Sequence, residues 1–457
     1  MAQTSINDMF LQASEQGDMA RIEQLLKDGA DIHYKDGSGR TALMIATQKN
    51  NISLAKKLIE AGSDVNARDV TMLTPYLCAG ANGFHEILRL TIAGGADMKS
   101  VNRFGGTPLL PSSEKGYLQT VQVSIDAGIP VNHANKLGWS GLLEAIILGD
   151  GGFLFCDIAD TLMQAGADAN LKDRDGKSSL DHAHALKQNR AVQIMTGKTP
   201  DFGVHTKAVL EARAFARQFK YDDAYQCLVK IIADGQDTVE SLYYKGYFLF
   251  EQKKYDEAIK EFNKALALAP DAIELYFYTA NAYRMQKKPT EALAEYDKAI
   301  VKHPELAFHR YHKSNYLREL GMHEEAIAEM DALLARDPER YDYAFHKANS
   351  QRSLGQHQEA IDTIEIAIKS DPTNPLYHLH KAQSLVLLKR FEDALKEVAV
   401  GEQYDNADLG LMGEKVLSFI GLNRIPEAND VLSQMLRISP NYAWALAKQA
   451  ELKNRTE

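Results

Sequence analysis

The sequence predicts an all-α chain built as tandem α-solenoids, and three observations predict it. One is a 33-residue period in the N-terminal half; another is a 34-residue period in the C-terminal half. The third is composition: 45% hydrophobic and 25% charged residues suffice to pack the faces that such periods create. At 457 residues the chain is several times the commonest domain size, so a repeat array or several domains are required. Against 62 acidic residues stand 52 basic ones, a net charge of −10 without any run of Lys or Arg. That balance argues against a sequence-independent grip on nucleic acid or an anionic membrane, since both need clustered positive charge.

In the first half, Thr41, Thr74, Thr107 and Ser140 open the stretches TALMIA, TPYLCA, TPLLPS and SGLLEA at steps of 33 residues. Gly29, Gly62, Gly95 and Gly128 keep the same step, within GADIH, GSDVN, GADMK and GIPVN. In both series the next copy, at Ser178 and Gly166, arrives 38 residues on, so one repeat carries a five-residue insertion. A Thr or Ser at the start of a helix caps its free amides, and a Gly at the end supplies a left-handed backbone. These stretches resemble the ankyrin repeat, and the resemblance implies six helix pairs from about Asp8 to Met195, in a domain spanning 1–195. Met72 stands where a turn Gly is usual, and Pro111 and Ser112 where Ala and a helix former are wanted, so the third and fourth repeats are expected to be irregular.

The second half changes period. Ala224, Ala258, Ala292, Ala326, Ala360, Ala394 and Ala428 are spaced by 34 residues, and Pro270, Pro304, Pro338, Pro372 and Pro440 keep the step, with Asn406 in the missing place. Gly246, Ala280, Ser314, Ala348 and Ala382 hold another small position twelve residues before an Ala. The pattern resembles the tetratricopeptide repeat (TPR), a helix pair with small residues at the crossing. It implies about seven copies and a closing helix, NYAWALAKQAELKNRTE, within a domain at 204–457. Trp444 and Leu446 of that helix are expected to pack. The join, TGKTPDFG at 196–203, reads as a short break that restricts the angle between arrays. Because each repeat touches mainly its neighbours, the second array is expected to survive alone.

Catalytic signatures are missing: there is no phosphate loop ending in Gly-Lys-Ser/Thr, no H-E-x-x-H and no G-x-S-x-G. The GDGG at Gly149–Gly152 falls between two helices and reads as a plain loop. His312, His346 and His380 occupy one position of three successive repeats, too far apart to share a zinc ion, and read as surface or packing residues. Cys78, Cys156 and Cys227 are too few for a disulfide framework and point to a reducing compartment. Neither a signal peptide nor a membrane-length apolar run is read from the sequence, and the expected location is the cytoplasm. No cofactor and no metal are expected, and the chain is expected not to be an enzyme.

What the second array does offer is a face. Tyr243, Phe277, Tyr311 and Phe345 form one series; Tyr247, Asn281, Asn315 and Asn349 lie four residues later; Arg284, Arg318 and Arg352 follow three after that. Offsets of four and seven place all three on one stripe of the first helix of each pair. In the tetratricopeptide family that stripe lines the concave groove. The stripe is read as a site for an extended peptide, acidic or C-terminal: carboxamides pair with any backbone, arginines grip carboxylates and rings supply rigid area. A solvated concave face with consensus residues is the bland reading. In the first array, Phe104, Leu137 and Trp139 sit at or beside projecting turns, as a second contact patch or as rings buried under neighbouring turns.

The expected function is a non-catalytic scaffold that binds proteins or peptides. Alternatives are a bacterial effector or an enzyme-inhibiting or regulatory subunit using the same surfaces, and less so an enzyme with an unrecognised site.

Overall fold

The computed structural model describes residues 5–199, 201–232, 237–440 and 442–456. Residues 1–4 of the first domain, Pro200 of the join and Glu457 therefore lie outside the described residues. The fold is all-α, and among the described residues there is no strand, only three isolated bridges. Among the described residues, twelve α-helices lie between Ile6 and Met195, and fifteen between Thr206 and Thr456.

The first twelve are short and stack as antiparallel pairs. Their starts follow from the capping residues: the side-chain oxygens of Thr41, Thr74, Ser140 and Ser178 accept from the amides of Met44, Leu77, Leu143 and Asp181. Their ends follow from Gly29, Gly62, Gly95, Gly128 and Gly166, all at φ between 83° and 95°, where an L side chain is strained. The fourth pair departs from the pattern. Its first helix, Leu109–Glu114, has six residues and no side-chain cap, and Thr107 Oγ1 is buried without a partner. Pro111 has no amide to donate, and Ser112 Oγ donates instead to the carbonyls of Pro108 and Gly80. Met72 takes the left-handed conformation, at φ 61°, which the missing Gly would have adopted freely. The insertion lengthens the outer helix of the fifth pair, Phe153–Gln164, to 12 residues and places GDGG before it.

The longer helices of the second half pair through their small positions. Ala258, Ala292, Ala326, Ala360, Ala394 and Ala428 are at most 1% exposed, and a Cβ on Gly246 would come within 2.5 Å of the Phe262 ring. Ser314 is tolerated at such a crossing because its hydroxyl donates to the Ala326 carbonyl at 2.9 Å. In the final helix, Ala443–Thr456, Trp444 packs against the last core cluster while Leu446 is exposed. Its expected packing is thus corrected: the position faces away from the stack.

The arrays do not merely follow each other. One hydrophobic core runs without a break from Phe10 to Tyr316, across the join. The inner helices and turns of the first array lie in the concave side of the second. At the far end, Tyr442 donates through its hydroxyl to the Gly37 carbonyl at 3.2 Å, and Val70 packs on the terminal cluster. The second array therefore bends round until its last helices meet the second and third helix pairs of the first. The expectation that each repeat touches mainly its neighbours is corrected, because the helices that would form the open groove bury their rings against the first array.

Candidate functional site

The seam begins beside the join. Arg213, on Thr206–Ala216, meets Asp157 at 2.7 Å and Asp160 at 2.8 Å; Arg217 also reaches Asp160, and the Tyr244 hydroxyl donates to Asp157 at 2.9 Å. These groups come from both arrays, and the carboxylates are matched by guanidinium donors, the condition under which buried charge is tolerable. Next to them the GDGG loop turns into the helix at Phe153, so it is a loop that also builds the seam. Phe153 stacks on Tyr243 with centroids 4.6 Å apart, the amide of Leu154 donates to the Tyr278 hydroxyl at 2.8 Å, and Phe155 meets Phe308 edge-on at 5.4 Å.

Further along, the three residues at the projecting turns reach the second array's groove. Phe104 meets Phe345 edge-on at 6.2 Å, and Trp139 lies 6.3 Å from Tyr341 with the Arg340 guanidinium over its ring at 5.6 Å. Leu137 lines the same space, half-buried. Of the groove series, Tyr243, Phe277 and Tyr311 are buried, with Phe277 packed between Phe308 and His312. Tyr247 is also buried, while Phe345 and Asn281, Asn315 and Asn349 remain half-buried.

What remains between the two concave faces is a cavity of about 1730 Å³, well above the ~300–1,000 Å³ of small-molecule sites. Three arginine–asparagine pairs repeat along it: Arg284, Arg318 and Arg352 each donate to the Oδ1 of Asn281, Asn315 and Asn349 at 3.3 Å. The pairs recur because residues three apart share a helix face. Beyond that the arginines differ. Arg284 forms an ion pair with Glu319 at 2.8 Å and lies over the Tyr316 ring, whereas Arg318 and Arg352 have no carboxylate at ion-pair distance among the described residues. Arg352 donates to Gln383 instead.

The three repeated histidines are kept neutral, chiefly by burial and then by neighbouring guanidiniums. His346 joins a chain across the seam. A guanidinium only donates, so Arg318 fixes the His346 Nδ1 as acceptor; Nε2 then carries the proton and donates to Tyr311 Oη, whose own proton goes to Glu114 at 3.1 Å. Burial holds Glu114 above the ordinary carboxyl range, and burial with Glu114 and Asp342 nearby holds Glu144 well above it. Nothing in the repeat pattern singles out Glu114 or Glu144, because each is one acid among many and only the docking of the second array buries it. No group of three or more His, Cys, Asp or Glu among the described residues is placed to hold a metal. No described helix is long and apolar enough to cross a membrane.

Stacked helix pairs around a lined cleft define a helical-repeat interaction scaffold. Family models give the particular repeats: "Ankyrin repeats (3 copies)" matches residues 7–69, "Tetratricopeptide repeat" matches 209–273 and 249–313, and "Anaphase-promoting complex, cyclosome, subunit 3" matches 319–399. The chain is thus an ankyrin repeat protein continued by a tetratricopeptide array. No curated protein sequence is significantly similar to it. Among solved structures, an ankyrin repeat domain from Acinetobacter baumannii AYE is 46% identical over 41% of this chain and 95% of its own, with a TM-score of 0.40. A second ankyrin repeat protein is 33% identical over 42% of this chain and 98% of its own, with a TM-score of 0.41. A chain of the complex between a predatory endopeptidase of Bdellovibrio bacteriovorus and an immunity protein is 24% identical over 43% of this chain and 100% of its own, at 0.37.

Proposed function

We propose that the chain holds an extended peptide segment of a protein partner in the cleft between its two arrays. Repeats of both kinds are protein-interaction modules, and the observation that carries the finer reading is the lining of the cleft. Rings from both sides, among them Phe104, Trp139, Tyr247 and Phe345, flank a row of three carboxamides. Each carboxamide oxygen is already taken by an arginine, and each Nδ2 carries two hydrogens, so even Asn315, whose side chain also hydrogen-bonds the Tyr311 hydroxyl, keeps a donor for the carbonyls of a guest. A guest held through its backbone needs no particular side chain there, and Arg318 and Arg352 add a preference for acidic residues.

Peptides selected against the full chain from a displayed random library test this. Replacing Asn281, Asn315 and Asn349 together by Ala is expected to weaken the selected peptides at least tenfold, about 1.4 kcal/mol, with helicity unchanged. Replacing Arg284, Arg318 and Arg352 together by Ala is expected to remove any acidic preference. Peptides that bind all of these variants as they bind the parent would overturn the assignment.

A further inference from the structure

Three of the buried arginines have a carboxylate partner. Arg213 meets Asp157 and Asp160, Arg284 meets Glu319, and Arg340 meets Asp342. Arg103, Arg318 and Arg352 break the rule. Arg103 comes from a projecting turn of the first array, beside Phe104, and makes neither a hydrogen bond nor an ion pair among the described residues. Among the described residues, Arg318 and Arg352 reach only His346 and the carboxamides of Asn315, Asn349 and Gln383, and Arg352 Nε is buried without a partner.

All three line the one cavity, and all three bear electrostatically on His380. That imidazole stacks on Phe345 at 5.3 Å, and its Nδ1 is buried without a partner. The nearest acids act from outside ion-pair distance: Asp69 and Asp408 on Arg103, Glu319 on Arg318 and Glu414 on Arg352. Burial raises Asp408 to about 6 and Glu414 to about 7, so at neutral pH Glu414 is only partly ionised, and Asp408, though mostly ionised, stays beyond ion-pair distance of Arg103. Burial likewise outweighs these acids at each of the three guanidiniums, whereas the carboxylates beside Arg213 and Arg340, and Tyr296 with Glu319 beside Arg284, outweigh it there.

We propose that Arg103, Arg318, Arg352 and His380 form an oxyanion pocket, built jointly by the two arrays, that takes a phosphate-type dianion. Three planar donor forks in one half-buried space suit a multiply charged oxyanion better than a single carboxylate, because each fork can take two oxygens and the charge of the set is met by one guest. The unpartnered Nδ1 of neutral His380 supplies a further contact, as donor or acceptor according to its tautomer. The proposal is independent of the peptide reading, since a small anion is enough to probe it.

The test is calorimetry and thermal melting of the full chain with inorganic phosphate, with acetate and chloride at matched ionic strength as controls. Expected is saturable phosphate binding at about millimolar or tighter, with a rise in Tm that the controls do not give. Arg103→Gln and Arg352→Gln should each lose at least tenfold in affinity. In phosphate-free buffer both variants should melt no lower than the parent, because each relieves repulsion in an unfilled cluster; a structural arginine would show the opposite. Tighter binding of a phosphoserine peptide than of phosphate would assign the anion to a modified protein, and equal or weaker binding to a free or small phosphorylated compound. No saturable phosphate binding by the parent, or unchanged binding by both variants, would overturn the proposal.

Discussion

Single residues at the seam carry chemistry that their own repeats do not require. Asp150 is the clearest: Oδ1 accepts from the Gly152 amide at 2.7 Å, Oδ2 is buried without a partner, and burial with Glu274 nearby pushes the carboxyl up to about 7. A carboxyl raised in the folded state adds stability below its ordinary value of 3.8, and that contribution is lost as pH rises through about 7. Asp150→Asn keeps the accepting oxygen and cannot ionise. It is expected to stabilise the chain by roughly 4 kcal/mol at pH 8, little at pH 4, and to flatten the slope between; melting curves across that range check it. Phe153, 2% exposed between Tyr243 and the Arg190 guanidinium, is the apolar counterpart. Phe153→Ala should cost about 3–5 kcal/mol in urea unfolding. Neither role was legible in the sequence, where GDGG and the Phe after it sit in an insertion with no period to compare against.

At the scale of helices, much was legible. The Thr/Ser and Gly series mark the starts and ends of the short helices, and the irregular Leu109–Glu114 follows from Pro111 and Ser112. The small residues mark the crossings of the long ones, since any Cβ at Gly246 runs into Phe262. What the period does not encode is which neighbour covers an exposed face. Tyr243, Phe277 and Tyr311 keep their places on one stripe, but a stripe has the same spacing whether it meets solvent, a guest or another part of the chain. The buried ion pair between Thr206–Ala216 and Phe153–Gln164 is the element-scale contact that settles it here. Arg213→Met should cost about 3–5 kcal/mol, because Asp157 is then left buried beside Tyr244 without a cation. Adding Asp157→Leu should recover much of that loss, and a double-mutant cycle in urea measures both.

Over the whole molecule, two quasi-one-dimensional stacks have become one body. A solenoid repeat leans on its neighbours alone, so an isolated array of this length is expected to be self-sufficient. Here the continuous core from Phe10 to Tyr316 and the Tyr442–Gly37 contact at the far end make each array part of the other's packing. The cleft and its arginines exist only because the arrays face one another, which is why a reading of each period alone found the lining residues and not the second wall. The most direct measurement is hydrogen exchange on residues 201–457 expressed without the first array, compared with the full chain. Protection is expected to fall in Val239–Glu251 and Glu274–Met285, with exposed apolar surface and association of the fragment, and to return when residues 1–199 are added. A monomeric fragment with full protection in both helices, indifferent to the added first array, would contradict the shared core.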